Sequence, residues 1–274
     1  MDALRQVDEW PVGVAAVGVT GSTSGLGATG ASAATLPWTS VTKLLTALAS
    51  LVAAEEGVLE LDEPAGPPGS TARHLLAHAS GLPPDGETPI AQPGTRRIYS
   101  NAGFEVLANV VAERAEMPFA EYLRQAVLEP LGLTASLDGS PASGMSGTLD
   151  DLLSVGRELL APSSIAPESL AEATAVAFPG LVGVLPGFGR MDPNDWGLGF
   201  ELRDRKRPHW TGERNSSRTF GHFGQSGSFL WIDPEAGLAC ACLCDTPFGD
   251  WAKEAWPRLA DAVLAESSGT GAAA

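Results

Sequence analysis

Residues 37–43 read Pro37-Trp38-Thr39-Ser40-Val41-Thr42-Lys43 and stand at the mouth of a helical run, Leu44 to Glu56. Ser40 and Lys43 are three residues apart, which on a helix puts them on one face, about one turn from each other. A serine hydroxyl is a poor nucleophile until a base within hydrogen-bond reach takes its proton, and a lysine amine at this spacing can serve. At a helix start Ser40 also meets the positive end of the helix dipole, which favours developing negative charge. Taken alone, the pattern is common by chance and reads first as an N-capping serine beside a solvated lysine.

Outward from this stretch, Leu44, Leu45, Ala47, Leu48, Leu51 and Val52 make the helix apolar nearly all round, which predicts a buried central helix ending at Gly57. Upstream, Met1 to Trp10 suits a short helix. Pro11 to Thr20 and Leu26 to Ala31 read as a β-hairpin around the turn cluster Gly21 to Gly25. Downstream, helices are expected over Thr71 to Ala79, Asn101 to Glu116, Phe119 to Val127, Leu149 to Leu160 and Pro167 to Val176. After Trp196 the period becomes strand-like, over Trp196 to Glu201, Thr219 to His222, Gly227 to Ile232 and Gly237 to Cys244. A last helix runs from Asp250 to about Glu266, with a frayed tail over Ser267 to Ala274. Hairpin, helices, then meander and closing helix segregates strands from helices, which means α+β and not a parallel βαβ sheet.

Composition sets outer bounds. The 274 residues suit one large domain or two intimate ones. A net charge of −16 argues against nucleic acid, because no basic patch is present to neutralise phosphates. The charged N-terminus lacks a signal-peptide pattern and no long apolar run occurs, so no membrane association and a cytoplasmic location are the default expectations. Cys240, Cys242 and Cys244 alternate along one strand, neighbours about 6.6 Å apart on the same face, and read as buried small hydrophobes rather than disulfides. His74 and His78 share a helix face without an accompanying glutamate, and are expected to be helix-end hydrogen-bond partners and not metal ligands. His209, in the basic loop Arg203 to Arg214, is expected in solvent. So are the acidic pairs Glu55/Glu56 and Asp150/Asp151.

Two further stretches carry chemistry. In Arg97-Ile98-Tyr99-Ser100-Asn101, Ser100 or Asn101 can cap the following helix, while the Tyr99 phenol beside a cationic amine can share a proton. In Phe220-Gly221-His222-Phe223-Gly224-Gln225-Ser226-Gly227-Ser228 the glycines would weaken a strand unless the backbone must approach a ligand, or they mark a bulged edge.

Taken in order, Ser40-x-x-Lys43, Tyr99-Ser100-Asn101 and His222-Phe223-Gly224 resemble the motifs of the serine β-lactamase and penicillin-binding-protein superfamily. The tyrosine points to its class C β-lactamase, esterase and D-peptidase branch. His74 to Leu82, Glu129-Pro130-Leu131-Gly132-Leu133 and Trp196-Gly197-Leu198-Gly199-Phe200 resemble supporting segments, so the likeness spans Val12 to Ala265.

The resemblance implies an antiparallel sheet flanked by helices with an inserted all-α lobe. Residues 1–45 and 196–274 would form the sheet lobe and 46–195 the helical lobe, with the active site at their interface. It implies that Ser40 is the acylated nucleophile, Lys43 its base, Tyr99 a proton relay, and Asn101 a partner of Lys43 and substrate. The backbone N–H groups of Ser40 and Gln225, beside Gly224, would form the oxyanion hole. His222 stands where lactamases usually carry lysine, and Phe223 where threonine is common. Trp38 is expected to touch substrate, and Phe223 and Trp231 to favour a less polar acyl group.

The expectation is a serine hydrolase of an ester, amide or D-amino-acid peptide, possible as a transacylase, acting on a small molecule with no cofactor and no metal. Its oligomeric state is open. The alternative is a penicillin-recognising module that is acylated without turnover.

Overall fold

A computed structural model of the chain describes residues 1–270. After a 3-10 helix, Asp2–Glu9, come β1 (Ala15–Thr20), β2 (Gly25–Gly30), β3 (Leu36–Pro37), a 3-10 turn at Thr39–Val41 and α1 (Thr42–Glu55). The chain continues through α2 (Ala72–Leu76), α3 (Asn101–Arg114), α4 (Phe119–Leu123), β4 (Ser136–Leu137), β5 (Met145–Gly147), α5 (Leu149–Leu160) and α6 (Pro167–Ala173). It closes with β6 (Gly183–Leu185), β7 (Gly189–Met191), β8 (Glu201–Leu202), β9 (Phe220–Phe223), β10 (Phe229–Asp233), β11 (Leu238–Cys244) and α7 (Asp250–Thr270). Helix α7 thus covers Ser267 to Thr270, where a frayed tail was expected; the rest of that tail, residues 271–274, lies outside the described residues.

The chain divides into two units. Unit 1 comprises Met1–Val41, Ser146–Ala161 and Arg203–Ala274; unit 2 comprises Thr42–Met145 and Pro162–Leu202. In unit 1 the strands lie in the order β2-β1-β11-β10-β9, all antiparallel. Strand alternation sends Phe229, Trp231, Cys240 and Cys242 to one face, where Trp256 of α7 packs edge-on against Phe229, 5.1 Å between ring centroids. Helix α5 covers the other face. It approaches closely because small residues face each other: a Cβ on Gly156 would lie 2.9 Å from the Ala239 Cβ, and one on Gly18 2.8 Å from Leu153. This packing places Ser146–Ala161 in unit 1, whereas the sequence reading grouped it with the helical lobe. An amphipathic stripe on α5 does not say which apolar surface receives it.

Unit 2 is built around α1, buried from Thr42 to Ala53, with α3 and α4 packed against it. Helix α4 runs into a π-helical turn, Arg124–Leu128. The Trp196–Glu201 segment is not the strand its composition suggests, for only Glu201–Leu202 is extended. Gly199 has φ +86°, and a Cβ there would collide with Ala47 of α1, so the segment turns against that helix.

Several expected surface residues are interior. His209 is buried, with its Nδ1 2.8 Å from Thr211 Oγ1, because the loop folds over Trp210. Asp151 closes a capping box with Thr148 at the start of α5. Glu55, Glu56 and Asp150 are exposed, as expected, though Glu56 accepts a hydrogen bond from the Tyr122 hydroxyl at 2.7 Å and Glu55 one from the Ala166 N–H at 2.8 Å. Trp38 and Trp231 are wholly enclosed, at 0% and 1% exposed, so both are core residues and neither ring is available to a substrate. Among the described residues no helix is long and apolar enough to cross a membrane.

Candidate active site

In unit 1, β3 leads into Trp38, Thr39 and Ser40. Thr39 has φ +45°, a left-handed conformation that is costly for a β-branched residue. The turn after β9 holds it there. The Ser226 N–H donates to Thr39 Oγ1 at 3.2 Å, and the Ser226 hydroxyl donates to the Pro37 carbonyl at 2.9 Å. Gly224 must be glycine, because a Cβ would collide with Thr39 Oγ1 and the Trp38 carbonyl and lie 3.2 Å from the Ser40 nitrogen. The turn is tight, with the Gly224 N–H donating to the Ser228 carbonyl at 2.8 Å. The backbone approach that the glycines signalled is therefore to the protein's own chain at Trp38–Ser40. Gln225 follows Gly224 in this turn, and its side-chain amide donates to the Phe248 carbonyl at 3.4 Å.

His222 is buried in β9, and its Nδ1–H donates to the Phe223 carbonyl at 2.7 Å. That bond leaves Nε2 as the acceptor nitrogen of the neutral ring. Phe223 is nearly buried, packed against Trp210, Phe248 and Trp256.

The 3-10 turn Thr39–Val41 runs directly into α1, and Lys43, on the first turn of that helix, belongs to unit 2. Its side chain is 0% exposed. The amine donates to Asn101 Oδ1 at 2.7 Å and to the Ala142 carbonyl at 2.9 Å, and lies 4.7 Å from the Tyr99 ring centroid. Desolvation pushes its pKa down from 10.5 to about 7, against the opposing pull of Glu105 and Asp85. Near neutrality, then, much of this amine is an uncharged base.

Tyr99 and Asn101 are held by a backbone built to present them. Ser100 caps α3, its hydroxyl accepting from the Gly103 N–H at 2.9 Å and donating to the Pro83 carbonyl at 2.6 Å. His78, with φ +55°, accepts the Ser100 N–H at Nδ1 (3.1 Å) and the Ile98 N–H at its carbonyl (2.9 Å), while its ring packs 4.7 Å from the Tyr99 ring. Next to these, the buried Arg97 guanidinium gathers the carbonyls of Ala77, Ala177, Phe178 and Asn194. His78 is thus the hydrogen-bond partner its helix-end position suggested, and the segment it ties down carries Tyr99.

Of the residues singled out in the sequence, unit 2 brings together Lys43, Tyr99 and Asn101, and unit 1 brings Gly224 against Ser40. Two residues beside the lysine went unremarked. Asp85 accepts from Asn101 Nδ2 at 3.2 Å, and Glu105 accepts from the Ser140 hydroxyl. Glu105 had a legible signal, since it lies four residues beyond Asn101 on the same face of α3. Asp85, in a loop of prolines and glycines, had none. Among the described residues no group of three or more His, Cys, Asp or Glu side chains is arranged to hold a metal ion.

A family model described as Beta-lactamase matches residues 6–137 and 135–265. The crystal structure of a beta-lactamase from Mycobacterium bovis is 54% identical, with a TM-score of 0.96, over 97% of this chain and 99% of that one. EstCE1, described as a hydrolase with promiscuous acyltransferase activity, superposes with a TM-score of 0.78 at 19% identity, over 96% of this chain and 97% of its own. Unliganded simvastatin synthase from Aspergillus terreus does so with a TM-score of 0.77 at 17% identity, over 97% of both chains. These last two likenesses show the fold alone. No curated protein is significantly similar to the chain.

Proposed function

The chain belongs to the beta-lactamase family, and from that premise we propose that it is a serine hydrolase of small-molecule esters or amides, working through an acyl-enzyme on Ser40. One observation carries the reading: the Lys43 amine is fully buried, oriented by Asn101 and the Ala142 carbonyl, and brought to a pKa of about 7. In the proposed reaction neutral Lys43 takes the Ser40 hydroxyl proton as Oγ attacks the substrate carbonyl carbon. The carbonyl π electrons move onto oxygen, and the N–H groups of Ser40 and Gln225 donate to that oxyanion. Collapse expels the alcohol or amine, which leaves with a proton returned from Lys43 by way of Tyr99. Water, or an alcohol or amine acceptor, then attacks the acyl carbon while Tyr99 takes its proton and passes its own to the neutral Lys43. Collapse of this second intermediate breaks the bond to Ser40, releases the acid or the new ester or amide, and returns the proton from Lys43 to Ser40 Oγ. Asn101 keeps the lysine in place and donates to the bound carbonyl compound, and His222 Nε2 accepts from a donor on the substrate.

The description of EstCE1 as a hydrolase with promiscuous acyltransferase activity favours acyl transfer to water or to a second small molecule. A second reading, β-lactam opening on the same serine, is favoured by the 54% identical relative. The discriminating experiment is intact-mass spectrometry after exposure to a fluorophosphonate, followed by a panel of activated esters, amides and a chromogenic β-lactam. A single adduct, absent in Ser40→Ala, with turnover of esters ahead of the β-lactam, is the expected result. An adduct with turnover of the β-lactam alone would favour the second reading. No adduct on folded protein would sink both.

A further inference from the structure

Two hydrogen-bond paths lead away from the Lys43 amine within unit 2, and each ends on a carboxylate. On the first, Nζ donates to Asn101 Oδ1 at 2.7 Å, and Asn101 Nδ2 donates to Asp85 Oδ1 at 3.2 Å. On the second, Nζ donates to the Ala142 carbonyl at 2.9 Å, the Ala142 N–H donates to Ser140 Oγ at 3.0 Å, and that hydroxyl donates to Glu105. Asp85, Asn101, Glu105 and Ser140 meet again in the wall of one cavity of about 500 Å³. The two anions therefore stand between the buried amine and an open space in unit 2, one on a loop and one on α3.

We propose that Asp85 and Glu105 are positioning residues that hold the Lys43 amine through Asn101 and Ser140 and set the pH at which it serves as a base. The proposal rests on the reading of Lys43 as the base for Ser40.

The physical argument is a balance of two effects. Complete burial strips the ammonium of water and favours the neutral amine. The charged and titratable groups facing it are Glu105 from α3, Asp85 from the loop after α2 and the Tyr99 phenol from the segment ahead of α3; Glu87 adds a carboxylate at the cavity wall. On α1 itself the other ionisable side chain is Glu55, at the far end. Burial lowers the lysine pKa, and Glu105, then Asp85, pull it back up; the balance stands at about 7. Removing either anion destabilises the ammonium, so the amine becomes neutral at lower pH. A residue that merely props up a loop would change the plateau rate and leave the midpoint alone.

The test is the rate of Ser40 labelling by an uncharged fluorophosphonate across pH, for the parent protein, Glu105→Gln, Asp85→Asn and Glu105→Asp. Thermal melts confirm that each variant is folded. In Glu105→Gln the midpoint should move toward acid by roughly half to one pH unit. The shift should be smaller in Asp85→Asn, whose carboxylate is exposed and better screened. Glu105→Asp, which keeps the charge, should restore most of the parent midpoint. A parent midpoint near 7 with unmoved midpoints in Glu105→Gln and Asp85→Asn overturns this proposal and leaves the base assignment standing. Parent labelling that is independent of Ser40, or flat across pH, overturns the base assignment itself.

Discussion

Lys43 on α1 and the cysteines of β11 are comparably buried, and burial does opposite things to their chemistry. In both places low polarity disfavours the charged form. For lysine the neutral form is the reactive one, so burial brings its pKa to about 7 and makes a base available near neutral pH. For cysteine the thiolate is the reactive form, and burial pushes the pKa values of Cys240, Cys242 and Cys244 up. The surroundings differ as well. Lys43 has Asn101 and a carbonyl at hydrogen-bond distance, while Cys242 has a backbone carbonyl at 3.8 Å and strand neighbours of aliphatic and aromatic character. Burial alone marks neither a site nor a core; the polar partners kept inside the burial do.

The comparison breaks most visibly at Lys43→Met. Labelling of Ser40 by a fluorophosphonate should slow by about 10²- to 10⁴-fold, the usual worth of a general base, while the melting transition persists. Fluorophosphonate kinetics at pH 8 would show it, and a rate within threefold of the parent would remove the lysine from the mechanism. The pH profile sharpens the same point. Because the active form is the neutral amine, the rate should fall as pH drops through about 7, and approach tenfold per unit well below it. A rate that rises toward acid would contradict the sign.

On the thiol side, native protein should give almost no reaction with a disulfide reagent, and all three cysteines should react after denaturation. Fast modification of any one in the folded state would mean that β11 is less enclosed than its burial states. The smallest effect is expected for Cys242→Ala, which should cost about 1 kcal/mol in chemical denaturation and leave Ser40 labelling unchanged. A loss of labelling there would tie the stripe to the site after all.

The cysteine stripe was readable because a strand has period two, and three cysteines spaced by two share a face whatever covers it. The central helix was readable for the related reason that apolar residues all round allow only burial. His209 and Trp38 show where such reading stops. Arg203 to Arg214 looks solvated by composition, yet His209 and Trp210 fold inward together. Trp38 lies two residues before Ser40 in the chain, but the left-handed turn at Thr39 separates the two fates, a partly buried serine and a tryptophan in the core. The strand expected from Trp196 became a turn against α1 because Gly199 permits a positive φ and contact with Ala47 requires it.

Residue spacing put Ser40 and Lys43 one helical turn apart, offered Ser100 or Asn101 as the cap of the following helix, and segregated strands from helices into an α+β order, since each is a matter of local periodicity and capping along a continuous chain. A catalytic role for the pair came only with the family resemblance. The ionisation of Lys43, the carboxylates that oppose its burial, and the need for a bare backbone at Gly224 depend on groups far apart in sequence. Asp85 reaches the amine through Asn101, and Ser140 through Ala142, by contacts that helix geometry does not supply. Electrostatic energy and steric exclusion depend on distance in space, and the chain acquires those distances only when it folds.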